Sequence, residues 1–224
     1  MKRKIITTAD GSYTLQIVDW DEPYHSKHGA IQEAYHVFID HGLSAIKTSS
    51  IKILEMGFGT GLNALISLME AEHRTLRIAY TGIEAYPITG TELTQLNYIE
   101  LLKAPHHKEH FEQMHTCPWE VPCKISDHFF LTKKKLDFRR VSDEDCYDLV
   151  YFDAFGARVQ PELWTELVFG KMYNALKGNG ILVTYSAKGS VRRALQEVGF
   201  TVERLPGPPG KREMLRASKP ATSK

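Results

Sequence analysis

The sequence predicts an α/β fold: a mostly parallel sheet with helices on both faces and an antiparallel strand near its end. Three observations carry this. Short apolar runs alternate with segments of helical periodicity through most of the chain, the pattern of a parallel sheet covered on both sides. The run Ile51–Met56 ends in a glycine-rich loop that opens onto a helical face. The last apolar segments, Thr201–Leu205 and Glu213–Ala217, flank Pro206-Gly207-Pro208-Pro209-Gly210 and read as strand, turn and strand.

Taken in order, Ile51–Met56 is a buried strand. After Gly57-Phe58-Gly59-Thr60-Gly61, the residues Leu62, Leu65, Ile66 and Met69 fall at i, i+3, i+4 and i+7, one face of a helix. Leu76–Glu84 is a second strand. Thr89–Leu102 has the pattern of one helix, with Leu93, Leu96, Tyr98 and Leu101 inward. Lys135-Leu136 ends another short strand before Asp137, and Tyr147–Phe152 is a third apolar strand. Pro161–Leu176 reads as a helix with proline in its first turn and Gly178 just past its end. Gly180–Tyr185 is a further strand, and Val191, Ala194, Leu195 and Val198 mark a helical face closed by Gly199. Residues 1–45 read as a small β-containing extension packed on the core. Residues 46–224 form the main domain, with a His- and Pro-bearing insertion at about 103–128.

With 224 residues, 42% hydrophobic and 25% charged, the chain can bury a sizeable core, which excludes disorder, collagen and coiled coil. Glu55, Asn63 and Asp153 interrupt the most apolar stretches, so none reaches the ~18 residues of a membrane span. The basic start Met1-Lys2-Arg3-Lys4 is not followed by the apolar segment of a signal peptide. Three cysteines, Cys117, Cys123 and Cys146, are too few and odd in number for a disulfide framework. The reading is a soluble cytoplasmic protein. Its net charge is only +1, yet Ser186–Lys224 holds nine Lys or Arg against three Glu, leaving the remainder at −5. That asymmetry permits a polyanionic partner on one face and equally a solvated basic tail. His106, His107, His110, His115 and His128 cluster in sequence with Cys117 and Cys123. The cysteine spacing is not a usual zinc spacing, so the expectation is a surface insertion with polar histidines and no metal. Lys133-Lys134-Lys135 and Arg139-Arg140 read as solvated basic surface, and Trp20, Trp119 and Trp164 as packing residues.

Chemistry concentrates in Glu55-Met56-Gly57-Phe58-Gly59-Thr60-Gly61, a strand-terminal acid before three glycines at alternate positions. In open α/β sheets ligands bind at the carboxyl ends of strands. Glycines let the backbone approach a ligand, and the following helix offers free N–H groups. The spacing is not the G-x-G-x-x-G of the nicotinamide fingerprint, and no G-K-[ST] follows. Glu84 ends the second strand, 23 residues after Gly61, where an acid hydrogen-bonds a ribose diol. A dinucleotide and S-adenosylmethionine both offer a ribose; the glycine spacing favours S-adenosylmethionine and a Rossmann-like class I SAM-dependent methyltransferase. The candidate cofactor residues are Gly57, Gly59, Thr60, Gly61 and Asn63, with Glu55 toward the amino-acid end, Glu84 on the ribose and Asp137 on the adenine amino group. Asp153 ends the third strand on the same rim and is the candidate catalytic residue. A carboxylate there can orient an incoming amine and take its proton, directly or through water. Two alternatives stand beside this reading: a small-molecule methyl- or aminopropyltransferase on the same fold, and a non-catalytic RNA-binding module with a degenerate pocket.

With these residues in view, the sequence resembles the family of S-adenosylmethionine-dependent methyltransferases that form 5-methylaminomethyl-2-thiouridine in tRNA. This is the amino-terminal half of MnmC, or the stand-alone MnmD. The resemblance rests on Glu55–Asn63, Ile83-Glu84-Ala85-Tyr86-Pro87, Tyr151–Phe155 with Gln160–Trp164, Val191–Leu195 with Gly199-Phe200, and Gly210–Leu215. With Tyr24-His25-Ser26, Gln32-Glu33-Ala34 and Val37-Phe38 it covers roughly residues 20–218. It implies 5-aminomethyl-2-thiouridine at the tRNA wobble position as substrate, methylated on its exocyclic amine. It also implies Gly57, Gly59, Gly61 and Glu84 around the cofactor and Asp153 near the reacting groups. Tyr24 and Phe155 become candidates for the tRNA side, and Arg192, Arg193, Lys211 and Arg212 for phosphates around the anticodon loop. The chain leaves no room for the flavin-dependent oxidoreductase half, so a separate protein or another pathway is expected to supply the aminomethyl group. Where bifunctional members have D-G-F-A-P, this chain has Asp153-Ala154-Phe155-Gly156-Ala157, without the proline.

Overall fold

The computed structural model describes residues 1–221 and places them in two sheets. The first is antiparallel: β1 (Arg3–Thr7), β2 (Tyr13–Ile17) and β3 (Glu22–Pro23). Helix α1 (Ala30–Ala34) follows and continues as a π-helical turn over Tyr35–Asp40. The main elements are then β4 (Ser50–Met56), α2 (Leu62–His73), β5 (Arg77–Ile83), α3 (Gly90–Leu93), α4 (Tyr98–Leu101) and α5 (Lys108–Thr116). After them come β6 (Cys123–Lys124), β7 (Phe129–Lys134), β8 (Tyr147–Phe152), α6 (Glu166–Ala175), β9 (Leu176–Thr184), α7 (Gly189–Glu197), β10 (Thr201–Pro206) and β11 (Glu213–Ser218).

The large sheet runs β10-β11-β9-β8-β4-β5-β7-β6. Its five central strands are parallel, while β6, β10 and β11 pair antiparallel at the two ends, as the strand–turn–strand pattern after Gly199 implies. Chain order leaves β4 toward β5 on one side and toward β8 on the other, which opens a crevice at their carboxyl ends. Two apolar layers sandwich the sheet. One holds Leu62, Leu65, Ile66 and Leu68 of α2 with Val37, Phe38, Tyr80 and Tyr151. The other holds Val168, Phe169 and Met172 of α6 with Val191 and Leu195 of α7. The helical spacing of these residues is what lets each helix bury one face. Among the described residues no helix is long and apolar enough to cross a membrane.

The structure departs from the sequence reading at several elements. Thr89–Leu102 is not one helix. Thr89 starts α3 through a reciprocal capping box with Glu92, and the chain turns again before α4. The break is tertiary in origin: Asn97 Oδ1 accepts from Tyr13 N at 2.8 Å and its Nδ2 donates to Gly11 O at 3.0 Å, pinning this turn to the small sheet. Pro161–Leu163 is a 3-10 turn, and α6 begins only at Glu166. In the first 45 residues strand structure stops at Pro23, and Val37, Phe38 and Ile39 join the main core. Strand β7 ends at Lys134, before Lys135-Leu136, and its alternation turns Phe129, Leu131 and Lys133 inward together. Lys133 is therefore not solvated: it is 1% exposed. Its Nζ donates to His115 O at 2.7 Å and lies 4.8 Å from the Trp119 ring centroid. Burial pushes this ammonium below the usual lysine range.

Candidate active site

At the carboxyl ends of β4, β5 and β8 lies a cleft of about 950 Å3. The glycine loop forms its floor. Its walls are Glu84–Tyr86 after β5, Asp137–Arg139, Asp153–Phe155 after β8, and Trp20, Tyr24 and His25 from the small sheet's exit.

The loop needs its glycines for space as well as conformation. Gly57 has φ +104°, and a Cβ there would stand 2.6 Å from the Asp153 carbonyl oxygen. That oxygen belongs to backbone and cannot swing aside. Gly57→Ala is therefore expected to shift the loop and weaken cofactor binding about tenfold or more, measured by calorimetric titration. Below the loop, His115 Nε2–H donates to Thr60 O at 3.1 Å, and a Cβ on Gly61 would stand 2.9 Å from that nitrogen. Burial, with Lys133 nearby, pushes His115 down to about 4, so it supports the loop as a neutral imidazole.

The acids divide into three environments. The Glu84 carboxylate accepts from Gly59 N at 2.9 Å and from Tyr86 N at 2.8 Å. Each oxygen keeps acceptor capacity for another donor, as a ribose diol requires. Glu55 is wholly buried. Burial pushes it well above the usual carboxylate range against the Asn63 hydrogen bond, with Asp153 and Glu84 adding to the rise. Asn63, in the first turn of α2, donates through Nδ2 to Glu55 Oε1 and to Asp153 Oδ2, both at 2.9 Å. Asn63 Oδ1 remains a buried acceptor without a partner. An unpaired acceptor on Asn63 beside a glycine cradle, with an acid at the next strand end, fits a ligand that has an ammonium end and a ribose, as S-adenosylmethionine has.

Asp153 sits where the cleft meets a second group of side chains. Burial, and next the Glu33 carboxylate, push its carboxyl up to about 7, against the Asn63 amide and the Lys211 ammonium. Glu33 of α1 is ion-paired with Lys211, whose Nζ stands 3.8 Å from the Tyr185 ring centroid. The Tyr185 hydroxyl donates to Ala154 O at 2.8 Å. At the rim, Phe155 meets Tyr24 edge-on with centroids 4.9 Å apart, and Trp20 at 5.9 Å. The loop from Asp153 to Ala157 is shaped by Tyr185, by Trp164 Nε1 donating to Phe155 O, and by the Arg158–Glu22 ion pair next to it.

Of the residues singled out from sequence, Tyr24, Gly57, Gly59, Asn63, Glu84, Asp137, Asp153 and Phe155 wall this one cleft. Three others lie behind it. The Thr60 hydroxyl is bonded to the Tyr98 hydroxyl inside the core, Gly61 starts α2 against His115, and Glu55 lies beneath Asn63. Asp137 caps the turn Phe138–Arg140 and pairs with Arg139, which holds its carboxyl below the usual range. Arg192, Arg193 and Arg212 stand outside the cleft with no ion pair among the described residues. Lys211 is committed to Glu33, and Lys224 lies outside the described residues. Sequence reasoning gave no role to Glu33, Tyr185, His115 or Phe138. Their spacing along the chain has no regularity to find, since they come from four separate elements.

A profile of the family described as S-adenosyl-L-methionine-dependent methyltransferase matches residues 131–220. The tRNA 5-methylaminomethyl-2-thiouridine biosynthesis bifunctional protein MnmC of Actinobacillus pleuropneumoniae is 30% identical over 91% of this chain and 33% of its own length. The protein of the same name from Leptospira borgpetersenii is 29% identical over 88% of this chain and 32% of its own length. The chain thus spans about a third of the curated relatives it matches. The crystal structure of MnmC2 from Aquifex aeolicus superposes with TM-score 0.79 at 29% identity, covering 99% of this chain and 73% of that one. Fold and cofactor agree with the sequence reading: the chain is a relative of the MnmC proteins, built on the Rossmann-like fold of the S-adenosyl-L-methionine-dependent methyltransferases.

Proposed function

We propose that this chain methylates the exocyclic amine of 5-aminomethyl-2-thiouridine at the wobble position of tRNA, giving 5-methylaminomethyl-2-thiouridine. The observation that carries the reading is Asp153, a carboxyl held near neutrality at the end of β8, between the cofactor-fitting loop and an aromatic rim. The names of the MnmC relatives support the substrate.

S-adenosylmethionine supplies an electrophilic methyl group on a sulfonium. The chain's own residues do the rest. Gly57, Gly59 and Asn63 hold the amino-acid end and Glu84 the ribose. An alkylamine reaches the cleft as ammonium and must lose a proton before its lone pair can attack. Asp153 accepts that proton, directly or through water, because its carboxyl titrates near the working pH. Lys211 keeps Glu33 paired, so one carboxylate rather than two faces the amine. Tyr24, Phe155 and Trp20 give a splayed base an aromatic frame. None of these groups performs the removal of a carboxymethyl group, which falls to another enzyme activity.

Arg192, Arg193 and Arg212 have no ion pair among the described residues, and tRNA phosphates are their proposed partners. Replacing Arg192 and Arg193 together by Ala is expected to weaken tRNA binding and to flatten the dependence of log affinity on log salt by about 1.5–2. Filter binding over a salt series measures this; an unchanged slope would remove both residues from the interface. The reading as a whole is tested by transfer of labelled methyl from S-adenosylmethionine to tRNA lacking this modification, followed by nucleoside analysis. Label in 5-methylaminomethyl-2-thiouridine supports it. Cofactor binding with no label in any tRNA nucleoside overturns it.

A further inference from the structure

Outside the cleft, three side chains with ligand atoms converge from separate elements: Glu72 in the last turn of α2, His107 just before α5, and His110 in its first turn. His107 Nδ1 lies 3.3 Å from His110 Nδ1, and His107 Nε2 lies 3.8 Å from Glu72 Oε2. One donor atom from each residue lies within 4.8 Å of the other two. His107 is 3% exposed, while Glu72 and His110 are partly buried.

We propose that Glu72, His107 and His110 form a binding site for a divalent transition-metal ion of the zinc class. Two imidazole nitrogens bound about 2.0–2.1 Å from a tetrahedral zinc stand about 3.3–3.4 Å apart. The two Nδ1 atoms already have that separation, which is long for a hydrogen bond between them. Their i, i+3 spacing across the start of α5 turns both rings to one side. The Glu72 carboxylate, which faces His107 Nε2 at 3.8 Å, turns toward the paired Nδ1 atoms to add negative charge and an oxygen ligand, and water completes the shell. Two imidazoles and one carboxylate suit zinc, whereas calcium and magnesium take shells of oxygen.

Such an ion ties α2 to α5. Helix α2 begins at Gly61 of the glycine loop, and α5 carries His115, which donates to Thr60 O from beneath that loop. A metal at the far ends of these helices braces the support of the cofactor site without touching it.

The test uses the full chain stripped with a chelator and titrated with zinc chloride alone. One equivalent of zinc per chain is expected, with a thermal midpoint that rises with zinc concentration, as binding to the folded state requires. Because His107 is buried, the variants are His110→Ala and Glu72→Gln. Each should weaken zinc binding about tenfold or more while keeping the unfolding midpoint measured in chelator. Cobalt substitution should give the visible bands of a tetrahedral site in the parent chain and lose them in His110→Ala. Absence of zinc binding overturns the proposal. So does equal binding by parent and variants, which would move the ion to other histidines such as His36 and His41, whose rings are 4.8 Å apart.

Discussion

Asp153→Asn is expected to lower the rate of methyl transfer to tRNA by about 100- to 10,000-fold, with affinities for S-adenosylmethionine and tRNA kept within a few-fold. The amide preserves size and the hydrogen bond from Asn63, but it cannot take a proton from the substrate ammonium. In the parent chain, log rate against pH should bend near the carboxyl's own value of about 7, and the bend should vanish in the variant. Stability moves the other way. The folded-state carboxyl titrates above its ordinary value of 3.8, so between roughly pH 4 and 7 the native chain binds the proton more tightly than the unfolded chain. The contribution of this group to stability is therefore favourable at low pH and is lost as pH rises through that window. Asp153→Asn, which stays neutral, should stabilise the fold at alkaline pH and change it least under acid conditions. Urea unfolding at two pH values reads this directly. A variant with full activity and unchanged pH dependence would remove Asp153 from the chemistry.

Glu84→Ala should produce the second large effect, and on a different quantity. Its carboxylate holds the backbone at Gly59 and Tyr86 and is proposed to accept from both hydroxyls of the ribose. Hydrogen bonds to a charged group contribute about 1.5–3 kcal/mol each, so losing two of them should weaken cofactor binding about 100-fold or more. Turnover at saturating cofactor should fall much less than in Asp153→Asn. Glu84→Gln should lie between, because its amide oxygen can still accept while its NH2 opposes one of the backbone donors. Titration of cofactor into each variant separates these cases. Unchanged affinity in Glu84→Ala would end its ribose role.

The separation of these two phenotypes, one in rate and one in affinity, reflects how far apart the underlying residues are in legibility. Gly57, Gly59, Glu84 and Asp153 could be read from sequence because each follows an apolar run whose length and period mark a strand. In a parallel sheet every such end falls on one rim, so their gathering follows once the strands are recognised. Thr60 could not be oriented that way: in a tight loop adjacent positions face opposite directions, and its hydroxyl turned to Tyr98 in the core. Lys133 misled for a related reason. Three consecutive lysines look solvated, but strand alternation sends every second side chain inward, and only the packing of Trp119 and His115 makes that tolerable for Lys133.

What the sequence by itself determined is local: which segments are strands and helices, where the glycine loop lies, and which acids end their strands. Periodicity and turn chemistry act over a few residues and survive without the rest of the fold. What the tertiary structure alone decided is long-range. Glu33 meets Lys211 across 178 positions, and Asn63 meets Asp153 across 90. The small sheet breaks a helix through Asn97, and the insertion brings His115 beneath the loop. The charge state of Asp153 belongs to this second class. A carboxyl titrates near neutrality only when the whole chain has closed around it, removed its water and set Glu33 beside it, against the opposing pull of Asn63 and Lys211.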